Sequence, residues 1–518
     1  MLKGEFSNKD NSPFASVCDE FAFKFDEAEV KKDIDKTKEL ITEAKSILIE
    51  HDIPAYAPLF YSVGTSLAIV RDDLIKNKYT NNKDDINKNL LNPFMDSDVI
   101  EIHCEILWYL RHAEILLKQV EKNEKTKPYL DGIYIILFVN LGNALDFCGR
   151  KCSAIGYYSR ALSCHPFGMA FGNIASCLEH YAKLEGDNNH RAVLLKKSYT
   201  YYLQAEKSRD DYTYLEAKQG FIMHRKQLET YFSKEALVSS TEYKEVTSET
   251  KKEKEYRDWC LQNHLFLNTL NDLLESNLAF ASDSLHITSI TTSIEQVNPP
   301  FVFEMFDQVK EEFIYARYLL FEVINGFHNL HFADKETYLD DVLNYSKYSI
   351  RIEKLKTAYR TIYSIFDQIA FLLNAYLNLG ISERDVSFDR IWNKLKEKEK
   401  HNIAISALHW INRDFKDKFG DADTPHTLKL KDLRNALEHK FVSVHEFSPE
   451  KEIEIGEDFI YRVSEDHLVQ YTIDLLKIVR EAVIELTFAI RIEEYQRHND
   501  NKRVARINLY EYQDIFKR

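Results

Sequence analysis

The 518-residue chain carries only 14 glycines and 10 prolines, too few turn formers for a fold of many short strands. Its 29% charged and 13% aromatic residues exclude a disordered polymer. Sixty-eight basic against 83 acidic residues give a net charge of −15, which excludes a sequence-blind nucleic-acid coat but leaves room for local basic patches. At roughly 150 residues per domain the length implies two to four domains.

The opening segment, MLKGEFSNKDNSPF, lacks an apolar signal core. The longest apolar run, 133–139, falls far short of the ~20 residues that span a bilayer. The cysteines Cys18, Cys104, Cys148, Cys152, Cys164, Cys177 and Cys260 form no CxxC pair, a usage suited to a reducing compartment. A cytoplasmic protein without membrane contact is expected.

Residues 1–232 read as paired helices. The clearest unit, 133–166, has Leu141 and Gly142 on a first helix, Ala154, Tyr158 and Ala161 on a second, and Pro166 at its end. This is the spacing of a 34-residue tetratricopeptide repeat, whose small residues let two antiparallel helices approach closely. Val63-Gly64 and Ala175-Ser176 take the same slot upstream and downstream. The second helix after Val63-Gly64 follows a polar insertion at 77–96, and the one after Ala175-Ser176, 191–209, is irregular. Three or four degenerate repeats are expected, since one alone cannot bury its apolar face; a generic helical bundle is the alternative.

Residues 233–300 read as a linker and connecting segment. The stretch 233–255 is polar, and 283–297, rich in Ile, Thr and Ser, suits a short strand before Pro299-Pro300.

Residues 301–518 return to long helices. Three apolar stripes carry the helical period: Phe306 to Phe327, Leu355 to Tyr376, and Leu468 to Ile490. A shorter helix is expected over 428–441, with Leu430, Leu433, Leu437 and Phe441 on its apolar face. The fold class is all-α, a repeat array followed by a helical bundle.

The chain contains no GxxxxGK[ST], GxGxxG, HExxH or GxSxG. His180 and His190 lie near Cys177 but off zinc spacing, so neither a metal site nor a cofactor is read from the sequence. What remains is LKLKDLRNALEHKF, with Arg434-Asn435 followed by His439. A guanidinium is a fixed fork for phosphate oxygens, and an imidazole, titrating near neutrality, can move a proton. Arg-x4-His occurs three times, at Arg160, Arg434 and Arg462. The first falls within the repeat and the third straddles the start of the last long helix. The middle copy alone has Asn after Arg and lies in a locally basic stretch of the bundle.

The pattern R-N-x3-H between long helices resembles the signature of HEPN domains, and similar domains follow tetratricopeptide repeats in bacterial conflict proteins. YRDWCLQNHLFLNTLND (256–272) and YARYLLFE (315–322) resemble the region leading into that bundle. The resemblance implies a metal-independent ribonuclease that works as a homodimer, two signature helices facing each other across an RNA cleft. Carried over, Arg434 binds the scissile phosphate, His439 acts as general acid/base, and Asn435 orients the phosphate or the helix pair.

Asp367 and Asn374, seven residues apart on the preceding helix, fall on one face as supporting residues or as buried hydrogen-bonding groups. Lys429, Lys431 and Lys440 are candidate contacts to the RNA backbone, and Glu438 a salt-bridge partner. The expected function is an endoribonuclease in a bacterial defence or toxin role, with a trigger or partner on the repeats. A catalytically silent scaffold of the same fold, binding RNA or protein, is the alternative.

Overall fold

The structure is a computed structural model that describes residues 12–80, 96–209, 213–239, 246–275, 277–293, 300–326, 330–340, 345–416, 426–446, 459–500 and 504–507. The chain divides into two compact units, with the main boundary between Glu242 and Tyr243.

The first unit is built of helices α1 (Ser16–Lys31), α2 (Ile34–Glu50), α3 (Ala57–Ile75), α4 (Ser97–Gln119), α5 (Lys127–Phe147), α6 (Lys151–Cys164), α7 (Gly168–Leu184), α8 (Asn188–Lys207), α9 (Leu215–Tyr231) and the short α10 (Lys234–Val238). Helices pack as sequence neighbours, α3 with α4, α5 with α6, and α7 with α8. Small residues sit where these helices approach most closely. A Cβ on Gly142 would stand 2.3 Å from the Tyr158 ring, and one on Gly64 2.9 Å from Leu110, so each pair closes only over glycine. Ala154 and Ala161 are fully buried. In the next unit Ala175 is also buried, and its carbonyl accepts from the Ser198 hydroxyl at 2.8 Å. The helix expected to be irregular at 191–209 is a regular α8, capped by Asp187, whose carboxylate accepts the N–H groups of Asn189 and His190. Most of the 77–96 insertion lies outside the described residues.

Among the described residues, one helix, α5, is long and apolar enough to cross a membrane. The reading of the 133–139 run alone missed this. Leu130, Ile133, Leu137, Leu141 and Leu145 of α5 are buried against neighbouring helices, the use a core helix makes of such a sequence. None of the seven cysteines forms a disulfide.

The second unit comprises α11 (Lys251–Gln262), β1 (Ile290–Ser293), α12 (Val302–Asn325), α13 (Ile350–Leu377), α14 (Ile403–Asp414), α15 (His426–His439), β2 (Phe441–His445), β3 (Ile460–Ser464), α16 (Glu465–Asp500) and β4 (Val504–Ile507). The stripes of α12, α13 and α16 form its core, with Phe313, Leu320, Ile362, Ile369, Leu475 and Leu486 fully buried. Phe327, expected to end the first stripe, lies outside the described residues.

The expected linker over 233–300 needs correction, because much of it belongs to this core. Leu265, Leu267 and Ala281 are fully buried. Two arginines hold this stretch, which contains the short 3-10 turns Thr269–Asp272 and Leu278–Phe280, by its backbone. Arg317 of α12 donates to the Leu265 carbonyl at 2.8 Å and to both oxygens of Asp283 at 2.8 and 2.7 Å. Arg480 of α16 donates to the carbonyls of Phe266 and Asn268 and to Asp272. Buried carbonyls without a sheet or helix partner need such donors. The strand expected within 283–297 is β1, paired antiparallel with β4.

A second small sheet pairs β2 and β3 in parallel, with Phe441 opposite Ile460. Phe441 therefore does not extend the apolar stripe of α15. The helix stops at His439, and Phe441 opens a strand whose alternate residues Val442 and Val444 are β-branched; its ring is 77% exposed.

Candidate active site

The site lies on α15, where Arg434 and His439 stand about 140° apart around the helix and Asn435 lies between them. Leu428, Leu430, Leu433, Ala436 and Leu437 are buried, so the helix is fixed by its apolar stripe. Arg434 and Asn435 are half-buried at the stripe's margin, and Glu438, His439 and Lys440 are exposed. At 100° per residue, Asn435 and His439 lie about 40° apart on one face.

Helix α13 runs against α15 and touches it at three places. The Tyr359 hydroxyl donates to the Leu430 carbonyl at 2.6 Å. The Arg434 guanidinium carbon stands 5.4 Å from the centre of the Tyr363 ring, within cation–π range. Arg360 donates through Nη2 to the Leu437 carbonyl at 3.2 Å, satisfying one of the last-turn carbonyls that a helix leaves open.

Arg434 also donates through Nη1 to the Asn435 amide oxygen at 3.2 Å. Among the described residues no carboxylate lies within ion-pair distance of Arg434, and the His439 ring makes no hydrogen bond. Burial pushes the Tyr363 phenol above its ordinary range, and the Arg434 charge draws it part of the way back. The result is a guanidinium held by a ring and an amide, without an ion-pair partner among the described residues, about 1.4 turns from an exposed imidazole. Such a pair can take an oxyanion and exchange a proton with it.

The other expected residues are placed as follows. Asp367 accepts the Phe388 N–H at 2.9 Å. Asn374 donates to the Ile381 carbonyl at 3.0 Å and accepts its N–H at 3.1 Å. Both side chains fasten the segment after α13 to that helix, the hydrogen-bonding use expected as the alternative to a supporting role, and neither bonds to Arg434, Asn435 or His439. Lys431 faces Asp389 at 3.7 Å, an acid that also faces Lys416 at 3.6 Å. Lys429 is half-buried, and Lys440 is exposed beside His439.

Two residues of the site were missed in the sequence, Tyr363 and Arg360. The signal available was the pattern YRTIY in 359–363, polar and aromatic groups along the flank of the apolar stripe of α13. No group of three or more His, Cys, Asp or Glu side chains placed to hold a metal ion occurs among the described residues.

The helix that carries R-N-x3-H packs on α13 and on the strands β2 and β3. Residues 293–493 match the LA2681-like HEPN family model, a stretch that includes α12 to α15 and most of α16. Over these residues the chain carries a HEPN domain. A HEPN domain points in general to a nuclease or RNA-related function. No curated protein and no solved structure matches the chain.

Proposed function

We propose that the protein is a HEPN-type, metal-independent endoribonuclease. The observation that carries this reading is the guanidinium of Arg434, held by Tyr363 and Asn435 with no carboxylate in ion-pair distance among the described residues, on the same helix as the exposed His439.

RNA brings its own nucleophile, the 2′-hydroxyl, so the protein need only stabilise charge and move protons. The 2′-oxygen attacks the adjacent phosphorus and its proton passes to one imidazole. The bond from phosphorus to the 5′-oxygen breaks, and a protonated imidazole delivers a proton to that leaving oxygen. The products are a 2′,3′-cyclic phosphate and a 5′-hydroxyl. Arg434 neutralises the charge that builds on the non-bridging oxygens. One histidine cannot serve both sides of one phosphate at once, so a homodimer with two α15 helices facing each other supplies the second.

The helical array of the first unit is the sensing or partner-binding part in this reading. The setting is the cytoplasm and a bacterial defence or toxin role, on the strength of the domain order. The test incubates the wild type, Arg434→Ala and His439→Ala with end-labelled RNA. Cleavage by the wild type, lost in both variants at equal folded concentration, is expected; cleavage that persists in His439→Ala would move the chemistry elsewhere.

A further inference from the structure

Arg360 differs from four other arginines of this unit and resembles Arg434. Arg317, Arg351, Arg480 and Arg497 each face a carboxylate, Asp283, Glu465, Asp272 and Glu494 in turn. Arg360 is half-buried on α13, and among the described residues no acid lies within ion-pair distance of it. Its one hydrogen bond goes to the Leu437 carbonyl, which uses one of five N–H donors of the guanidinium. A partly desolvated guanidinium with no counter-ion is costly unless an anion arrives.

The position relates it to Arg434. Arg360 and Tyr363 are three residues apart and share a face of α13. Tyr363 carries the Arg434 guanidinium and Arg360 reaches the Leu437 backbone. Arg434 and Leu437 are three residues apart on α15, about 4.5 Å along its axis. The two guanidinium groups therefore lie against successive turns of α15, Arg360 reaching from α13 to the turn that His439 and Lys440 follow.

We propose that Arg360 is a second phosphate-binding residue of this site. It grips the phosphate next to the one held by Arg434, so that an RNA strand lies along α15 with its scissile linkage at His439. The proposal rests on the ribonuclease reading above. It makes Arg360 a positioning residue, since it acts on a neighbouring phosphate and not on the reacting atoms. Its effect belongs in RNA affinity and KM more than in kcat.

A cap of α15 and a phosphate ligand make different demands on this side chain. Gln keeps an N–H for the Leu437 carbonyl and loses the charge; Lys keeps the charge. The experiment uses the full chain in a His439→Ala background, so that a fluorescein-labelled RNA oligonucleotide binds without being cut. Anisotropy is read from 50 to 300 mM salt, and a melting curve is taken for each variant. With Arg360→Gln added, affinity should fall roughly three- to tenfold and the salt slope should drop by about 0.7, with an unchanged melting temperature. With Arg360→Lys, affinity should stay within about twofold.

Unchanged affinity and slope in Arg360→Gln, with firm binding by the background protein, would overturn the proposal and leave Arg360 as a helix cap. So would an equal loss in both variants accompanied by a lower melting temperature. If the background protein fails to bind RNA and the wild type fails to cut it, the ribonuclease reading falls first and takes this proposal with it.

Discussion

The Arg434 guanidinium and the Asn435 amide are consecutive side chains that meet, Nη1 donating to Oδ1 at 3.2 Å. Neighbours in a helix point about 100° apart, so this contact turns the guanidinium round the helix toward the face that carries His439. It also fixes the amide, whose nitrogen remains to donate. Asn435→Ala should therefore lower RNA cleavage by roughly tenfold or more through loss of aim, with stability changed by less than about 0.5 kcal/mol at this half-exposed position. Asn435→Asp should be worse for activity, because a carboxylate there would capture the guanidinium that the phosphate needs. Single-turnover rates and melting curves on both variants check the ordering.

Tyr363 supports the same group from α13. Its ring face, 5.4 Å from the guanidinium carbon, contributes about 0.5–2 kcal/mol in a partly desolvated setting. Tyr363→Phe keeps the ring and should keep the cleavage rate. Tyr363→Leu keeps apolar volume but not the ring, and should lose rate. Equal rates in the two variants would show that the ring does not position Arg434.

Leu437 and His439 separate fold from site within three residues. Leu437 is 6% exposed in the stripe of α15, and His439 is exposed at the helix end. Leu437→Ala should cost about 2–5 kcal/mol as a cavity. His439→Ala should abolish cleavage and stay within about 0.5 kcal/mol of the wild type. Paired melting and cleavage assays check this, and a His439→Ala protein that melts as early as Leu437→Ala would place His439 in the core.

The clamp on residues 265–283 gives a pH prediction. Burial pushes the Asp283 carboxyl up, but the Arg317 charge, its hydrogen bonds and the Leu267 N–H pull it net below its ordinary value. A carboxyl depressed in the folded state stabilises fully above its unfolded pKa, about 3.9, and loses that contribution as pH falls through the folded value. The wild-type melting temperature should drop as pH falls below about 4. Asp283→Asn should cost about 3–5 kcal/mol at neutral pH, since it leaves a buried guanidinium unpaired, and should flatten that acid limb. Melting curves of both proteins from pH 6 to pH 3 test the sign.

The helices were legible where one physical signal dominated. Long stripes such as Leu355 to Tyr376 need a period of 3.6 whatever surrounds them, and α13 follows. The close approach at Gly142 and Tyr158 was legible because small residues at fixed spacing have few other uses. Arg434, Asn435 and His439 stood out as an ordered set on a short helix.

What escaped depends on contacts distant in sequence. The segment 263–287 looks like a connector until Arg317 and Arg480 are seen to hold its carbonyls. Asp367 and Asn374 share a face as expected, but only the fold shows that Phe388 and Ile381 use them. Phe441 fits a helical stripe by spacing, and β-branched Val442 and Val444 decide instead for a strand. Arg360 and Tyr363 carry no motif, and their meaning comes from the helix packed across them.

The central claim is that the R-N-x3-H helix cuts RNA by its own 2′-hydroxyl. The most direct measurement is the chemistry of the RNA ends left by purified protein in excess EDTA. The account predicts 3′ fragments that begin with a 5′-hydroxyl and 5′ fragments that end in a 2′,3′-cyclic phosphate, with neither product formed by His439→Ala. Cleavage that stops in EDTA, or that leaves 5′-phosphate and 3′-hydroxyl ends, would contradict it.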